Sequence, residues 1–216
     1  MKITLPTPQI VRNYLEKWES LENYVSQENS LKKLFTKTYP LNTEMDDVLI
    51  KVCSLNDFYS TNIFSPFSVA KHIVNLNIDK RLAISDTSLV NELAKVNVND
   101  KKVFNFYSFA TKYCSHHKPL DYPIYDSYVD KLLMELKKQD KFSKFQKSDL
   151  KDYCKYKDIL IEFRAFYQLE EFDLREIDKY LWQLGKERYA EKQNEKTIKD
   201  RFTYTSDLGL KIINKL

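Results

Sequence analysis

The sequence predicts an all-α protein, and three observations support that fold class. Signals for helix N-termini recur along the chain, apolar residues follow them at helical spacing, and no segment shows convincing strand alternation. Glycine is scarce, since the 216 residues include only Gly185 and Gly209. Rossmann and Walker phosphate loops need glycine at fixed places, so the sequence disfavours those nucleotide-binding folds.

Four helix starts are marked by their capping residues. Thr7-Pro8 and Ser65-Pro66 each place a hydroxyl before a proline, which is favoured at the first helical position. Thr43–Asp46 and Asp173–Glu176 have the pattern of a capping box, in which two side chains satisfy free backbone N–H groups. A further short helix is predicted after Asp86 or Thr87.

Signals for helices and turns continue through the second half of the chain. Val96–Asp100 is rich in Asn and Asp, which close tight turns, so we predict a hairpin between two helices there. The following helices are predicted over Lys101–His117, over Ser127–Gln139 and from Ser148 onward. Residues from about Ala190 are charged and less periodic, and we interpret them as an appended helix or tail. Trp182 is interpreted as a core or lobe-interface residue, with a base-facing role as the alternative.

The composition favours a cytoplasmic protein. Three widely separated cysteines, no apolar signal core at the N-terminus and no apolar run of membrane-spanning length all favour a soluble, reduced protein. We expect a monomer that does not bind membranes.

Positive charge is concentrated in one part of the chain. Residues 101–157 contain 13 Lys and 7 Asp or Glu, a balance of +6 in a chain whose net charge is +4, so the remainder sums to −2. Such a distribution is typical of a surface that binds phosphates, and a solvated lysine face gives the same pattern. Both interpretations stay open at this point.

The segment from Lys101 to Leu133 carries most of the functional signal. Asp126 is predicted to cap one helix, and Lys101 and Lys102 are predicted to begin the helix before it. A lysine and a carboxylate brought together at two helix N-termini can perform nucleophilic and acid/base chemistry on a sugar.

Residues Ile124-Tyr125-Asp126-Ser127-Tyr128-Val129, preceded by the hairpin and the lysine-led helix, resemble the helix-hairpin-helix DNA glycosylases. In that superfamily, which includes endonuclease III and 8-oxoguanine glycosylase, the corresponding segment has the form V-D-T-H-V. Asp126 matches the family's aspartate, Ser127 its threonine and Val129 the apolar residue. Lys102 lies where bifunctional members have their nucleophile, and Lys112 further along the helix is the alternative. The resemblance covers roughly residues 43 to 140.

The resemblance implies a two-lobed helical fold. Residues 43–140 would form the central lobe, and residues 1–42 with 141–216 would form the second lobe and the tail. It also implies that duplex DNA is the partner, that a damaged base is flipped out, and that neither a cofactor nor a metal is needed. The family's hairpin glycines are missing, and Asn97 and Asn99 would have to take their place. The expected DNA contacts are Asn97, Asn99, Lys101, Lys112, His116, His117 and Lys118.

Several alternatives stay open at the level of sequence. Cys114, His116 and His117 could ligate a metal, but they splay around a helix end, where His more often complements the helix dipole. Asp126 could act as a helix cap alone. The whole chain could be a non-catalytic DNA-binding module on the same scaffold, or an all-α protein-interaction protein.

Overall fold

The structure is a computed structural model that describes residues 2–98 and 102–189. Helices make up most of the described residues, and they are accompanied by one two-stranded antiparallel sheet. The prediction of a helical fold class is therefore confirmed at that level. None of the described helices combines the length and apolar character needed to cross a membrane.

The elements follow one another with short connections. The first half contains α1 Pro8–Glu19, α2 Glu22–Lys33, a π-helical turn Leu34–Thr38, α3 Met45–Tyr59, α4 Pro66–Leu76, α5 Asp79–Ala83 and α6 Ser88–Leu93. The second half contains β1 Lys95–Val98, β2 Lys102–Asn105, α7 Tyr107–His117, α8 Ser127–Asp140, a 3-10 turn Lys147–Lys151 and α9 Tyr153–Phe166. A last helix, α10, covers residues 174–189.

Most of the predicted caps are present. The Thr7 side chain accepts a hydrogen bond from the Ile10 backbone N–H at 3.4 Å. Asp173 and Glu176 form the predicted capping box, with reciprocal backbone-to-carboxylate bonds of 2.8 Å each. The box predicted at Thr43–Asp46 is wrong, because Glu44 is the N-cap of α3 and its side chain makes no capping bond.

The predicted connection between helices is instead a β-hairpin. β1 and β2 pair antiparallel, with Val96 opposite Phe104 and Val98 opposite Lys102. Side chains of β1 alternate between exposed and buried because its apolar face packs against α4. The helix predicted from Lys101 therefore begins only at Tyr107, and the prediction that Lys102 starts a helix is wrong.

One contiguous cluster of buried apolar side chains extends through both predicted lobes. It includes residues from the N-terminal segment, from α3 and α4, from α7 to α9 and from α10. The division of the chain into two lobes stays a prediction.

Gly185 sets the distance between α10 and the start of α8. A Cβ atom at this position would lie 2.9 Å from the Tyr128 Cβ atom and 3.0 Å from the Tyr128 carbonyl oxygen. α10 continues past Gly185 through residue 189. Its missing side chain therefore permits close packing and does not end the helix.

We predict that Gly185→Ala lowers the free energy of unfolding by about 1–2 kcal/mol, because overpacking against the Tyr128 backbone outweighs the better helix propensity of alanine. Urea unfolding followed by circular dichroism measures the change. A more stable variant, as helix propensity alone predicts, would contradict this packing.

Candidate functional site

A cavity of about 210 Å³ lies where five parts of the chain converge. These parts are the α1–α2 region, the end of α3, the middle of α7, the segment before α8, and α10. An apolar cavity of about 150 Å³ is enough to hold a benzene ring, so this one has room for a single flat ring system. Its lining residues are Trp18, Tyr24, Gln27, Glu28, Phe58, Tyr59, Ser60, Lys112, Ile124, Asp126, Arg175, Asp178, Lys179 and Trp182.

Three aromatic rings form one wall of the cavity. The ring centroid of Trp182 lies 5.8 Å from that of Trp18 and 5.2 Å from that of Tyr24, both in edge-to-face arrangements. The Lys179 ammonium lies 5.1 Å from the Trp18 ring, and the Lys186 ammonium lies 4.8 Å from the Trp182 ring. The wall therefore combines large apolar surface with positive charge, which suits a flat, electron-rich ligand.

A cluster of ion pairs lines the cavity beside these rings, and the Trp18 indole N–H donates to Glu28 within it at 3.2 Å. Arg175 bonds Glu28 at 2.9 Å and Asp178 at 2.6 Å, and Lys179 bonds Glu28 at 2.9 Å. Burial opposes ionisation of Glu28, but the two cations lower its pKa to about 2. Burial raises the pKa of Asp178 to about 6, although Arg175 and Lys112 oppose that change.

Lys112 extends from α7 into this cavity and is only 3% exposed. Its ammonium donates to the Ser108 hydroxyl at 2.6 Å and to the Tyr125 carbonyl at 3.1 Å. Burial lowers the pKa of Lys112, and the negative charges of Asp126 and Asp178 partly offset that effect. A lysine with a lowered pKa has a larger fraction of neutral, nucleophilic amine.

Asp126 is the N-cap of α8, as the sequence predicts. Its Oδ1 atom accepts a hydrogen bond from the Tyr128 backbone N–H at 2.8 Å. Within the described part of the chain, Oδ2 has no hydrogen-bond partner. Asp126 also lines the cavity together with Lys112, so the structure places these two predicted site residues at one cavity.

His116 lies behind the cavity wall. Its Nε2 atom is 3.0 Å from the hydroxyl of Tyr59, and its ring is 8% exposed. Burial lowers the pKa of His116 to about 3. His116 also lines a neighbouring cavity of about 340 Å³, which shares Glu28, Arg175 and Lys179 with the first one.

His117 belongs to a different buried network. Its Nε2 atom lies 3.2 Å from Oδ1 of the buried Asn42, which also accepts from the Lys51 ammonium at 2.7 Å. Lys51 donates to two loop carbonyls as well, and burial lowers the pKa of Lys51 to about 8. Burial also lowers the pKa of His117 to about 3. These bonds hold residues 39–42 against α3 and α7, which gives His117 a structural role.

The remaining predicted DNA contacts lie away from the cavity. Asn97 is exposed on β1, and Lys102 is exposed on β2, with its ammonium 5.0 Å from the Phe104 ring. Lys118 ends α7 and donates to the Ala83 carbonyl at 3.0 Å. Asn99 and Lys101 lie outside the described residues. The predicted pairing of Lys102 with Asp126 at two helix N-termini is therefore wrong.

Sequence patterns missed several residues of the cavity. Tyr59, Glu28, Arg175 and Asp178 carry no local motif that separates them from ordinary surface residues. Arg175 contacts Glu28 across 147 positions of sequence. Two sequence features pointed to α10, namely the capping box of Asp173 and Glu176 and the aromatic residue Trp182.

In the described ranges, no three His, Cys, Asp or Glu side chains are arranged to hold a metal ion. The cavity instead offers two amines, three carboxylates, one guanidinium and aromatic surface. This set can bind a flat polar ring and can act on it by nucleophilic attack and charge stabilisation.

We predict that acid destabilises the protein between pH 7 and pH 5 through its buried histidines. The folded-state pKa of His116 lies below its ordinary value of 6.5, so its stabilising effect is complete above pH 6.5 and is lost as the pH falls toward about 3. Each buried histidine then costs roughly 2 kcal/mol at pH 5. The raised pKa of Asp178 acts in the opposite direction and offsets part of this loss.

Urea unfolding of wild type and His116→Gln at both pH values measures this effect. We expect more than half of the net pH-dependent loss to disappear in His116→Gln, while His72→Gln, a change in a histidine outside both networks, keeps the wild-type slope. Equal slopes in all three proteins would contradict burial of a neutral His116.

Comparison with known proteins places the chain in a family. The HI_0787_N family, described as an N-terminal domain, matches residues 10–121, which include Lys112 but end before Asp126. An uncharacterized protein of Haemophilus influenzae is 48% identical over 153 residues, which cover 70% of this chain and 73% of that protein. No solved structure matches. The chain therefore belongs to the HI_0787_N family.

Proposed function

We propose that the protein excises a damaged base from duplex DNA, with Lys112 as the nucleophile and Asp126 as the carboxylate that stabilises charge on the sugar. One observation carries the proposal: Lys112 and Asp126 line the same cavity, which is aromatic-walled and large enough for one ring system. Lys112 replaces Lys102 in this role because Lys102 lies on an exposed strand and does not line the cavity.

The cavity suits a base that has left the double helix. The glycosidic bond is inaccessible in stacked DNA, so an enzyme that cleaves it must move the nucleotide into a pocket. Aromatic side chains such as Trp18 and Trp182 stack on bases with little dependence on sequence. The lysine-rich residues 101–157 would contact the phosphates, because all their described lysines except Lys112 are at least partly exposed.

The chemistry begins with the neutral amine of Lys112. Its nitrogen bonds to C1′ of the deoxyribose while the bond between C1′ and the base breaks, and the departing base keeps the electron pair and takes up a proton. Loss of a proton from nitrogen and opening of the sugar ring give a Schiff base. Proton removal from C2′ then expels the 3′ phosphate by β-elimination.

Asp126 acts on the charge that develops during departure of the base. As the bond to the base breaks, positive charge grows on the sugar, and a carboxylate fixed nearby lowers the energy of that state. The hydrogen bond from the Tyr128 backbone holds one oxygen of Asp126 in place. Capping and catalysis are compatible because the other oxygen has no partner in the described structure.

We predict that Lys112→Gln abolishes covalent trapping. Borohydride reduces a Schiff base to a stable bond, so wild-type protein mixed with a duplex containing an abasic site should give a protein–DNA adduct. Lys112→Gln should give none, because glutamine keeps hydrogen bonding to Ser108 but lacks the amine. Unfolding curves of the variant establish that it folds.

Two lysine variants serve as comparisons for Lys112→Gln. Lys80→Gln, on α5, should trap as well as wild type, and Lys102→Gln should keep the adduct even where its affinity for duplex falls. An adduct that persists in Lys112→Gln, or that disappears in Lys102→Gln alone, would refute the assignment of Lys112. Salt-sensitive duplex binding without adduct or base release would leave the non-catalytic DNA-binding alternative.

We predict that Asp126→Asn separates capping from catalysis. Asparagine caps helices as well as aspartate does, so the free energy of unfolding should stay within about 0.5 kcal/mol of wild type. Removal of the carboxylate should nonetheless lower the rate of base release at least about a hundredfold.

Asp126→Ala is the control for the cap itself. It should lose about 1 kcal/mol of stability in addition to the activity. Damaged duplexes carrying 8-oxoguanine, uracil or oxidised pyrimidines, with released base measured by chromatography, provide the assay. Full activity in Asp126→Asn would show that the residue is a helix cap only.

A further inference from the structure

The cavity that contains Lys112 has a larger neighbour, and one pair of side chains joins the two. We call the cavity of about 210 Å³ the first cavity and the cavity of about 340 Å³ the second cavity. Tyr59 lines the first cavity and His116 lines the second, and the Tyr59 hydroxyl lies 3.0 Å from His116 Nε2. Their ring centroids are 5.6 Å apart. Two hydrogen-bonded side chains that can carry protons therefore span the wall between the cavities.

The second cavity gives His116 access to solvent. Exposed residues form part of the lining of this cavity, among them Lys32 and Leu120. Among the described residues, none hydrogen-bonds Nδ1 of His116, so this nitrogen is available to water in the second cavity. Burial lowers the pKa of His116 to about 3, so the ring is neutral at pH 7 and carries hydrogen on one nitrogen only. A neutral imidazole can pass a proton by gaining hydrogen on one nitrogen while it gives up hydrogen from the other.

Tyr59 lies against the groups that carry the proposed chemistry. The Lys112 ammonium is 5.3 Å from the centroid of the Tyr59 ring, and both residues line the first cavity. Burial raises the pKa of Tyr59, which keeps its hydroxyl protonated, and the positive charge of Arg175 partly offsets this effect. Because that charge stabilises a phenolate oxygen, Tyr59 can give up its proton for a short time and regain it.

We propose that Tyr59 donates the proton that the departing base takes up, and that His116 replaces this proton from the second cavity. The proposal rests on the base excision of the proposed function. As the bond between C1′ and the base breaks, the O–H bond of Tyr59 breaks and its proton bonds to the base. The hydrogen on His116 Nε2 moves to the Tyr59 oxygen, and Nδ1 takes a proton from solvent. One proton has then passed from the second cavity to the base, and both side chains are neutral.

The next step of the proposed chemistry returns the pair to its starting state. The proton that the Lys112 nitrogen loses bonds to the Tyr59 oxygen, while the Tyr59 hydrogen moves to His116 Nε2 and Nδ1 releases its hydrogen to solvent. The base has gained one proton and the lysine nitrogen has lost one, so the cycle is balanced. The second cavity therefore serves the first as both source and acceptor of protons.

Rates of base release test the role of Tyr59. Tyr59→Phe keeps the ring and removes the transferable proton, so it should slow base release at least about a hundredfold, as the loss of a positioned acid does. Its borohydride trapping on an abasic duplex should match wild type, because water can enter the first cavity when no base fills it. Tyr167→Phe is the matched control, since it removes a buried hydroxyl that bonds Asp140 at 2.8 Å outside both cavities, and it should release base like wild type.

Chemical rescue distinguishes a proton relay from packing. His116→Ala should slow base release at least about tenfold, and imidazole added at pH 8 should restore most of the rate by entering the space that the variant opens. Neutral 1-methylimidazole has nearly the same shape but no N–H group, so it cannot pass a proton between its nitrogens and should restore little. His72→Ala should release base at the wild-type rate with either compound. Unfolding curves establish that each variant folds.

The outcomes separate this inference from the proposed function. Base release that is unchanged in Tyr59→Phe, or that both compounds restore equally in His116→Ala, would refute the relay and leave the enzyme intact. Wild-type protein that releases no base from duplexes carrying 8-oxoguanine, uracil or oxidised pyrimidines would refute both. Slow release with normal abasic trapping in Tyr59→Phe, together with rescue of His116→Ala by imidazole alone, would support both.

Discussion

The guanidinium of Arg175 connects two parts of the chain that the cavity needs side by side. It bonds Glu28 on α2 and Asp178 on α10, and its side chain is only 13% exposed. Breaking one partner of such a buried pair typically costs about 3–5 kcal/mol, because a charge is left without compensation. The position of α2 against α10 depends on this bridge, and Trp18 on α1 is linked to it because its indole N–H donates to Glu28 at 3.2 Å.

Burial determines the reactivity of the Lys112 amine. A lysine on a solvated face would stay charged and unreactive at neutral pH. Burial lowers the pKa of Lys112, while the negative charges of Asp126 and Asp178 offset part of the cost of burying its ammonium group. The Lys112 ammonium on α7 also donates to the Tyr125 carbonyl, directly before the Asp126 cap of α8. The proposed chemistry uses both Lys112 and Asp126.

The sequence predicted the features that depend on a few neighbouring residues, such as helix caps. The caps at Thr7, Asp126 and Asp173 were correct because each depends on a few neighbouring residues. The β-hairpin was missed because each strand has four residues, too few for alternation to stand out. That error moved the start of α7 by about two turns and made Lys102 the predicted nucleophile, with Lys112 as the alternative. Positions far apart in sequence, such as Glu28 and Arg175, meet only through the tertiary fold, which no local pattern encodes.

The family match and the functional proposal rest on different observations. The HI_0787_N family match establishes relationship over residues 10–121 and says nothing about chemistry. The proposal depends on the cavity that the fold creates around Lys112.

The most direct test is mass-spectrometric mapping of the borohydride-trapped adduct formed by wild-type protein on an abasic duplex. The account predicts one modified lysine, Lys112, in a peptide that trypsin no longer cleaves there. Modification of an exposed lysine such as Lys138, with Lys112 unmodified, would contradict it.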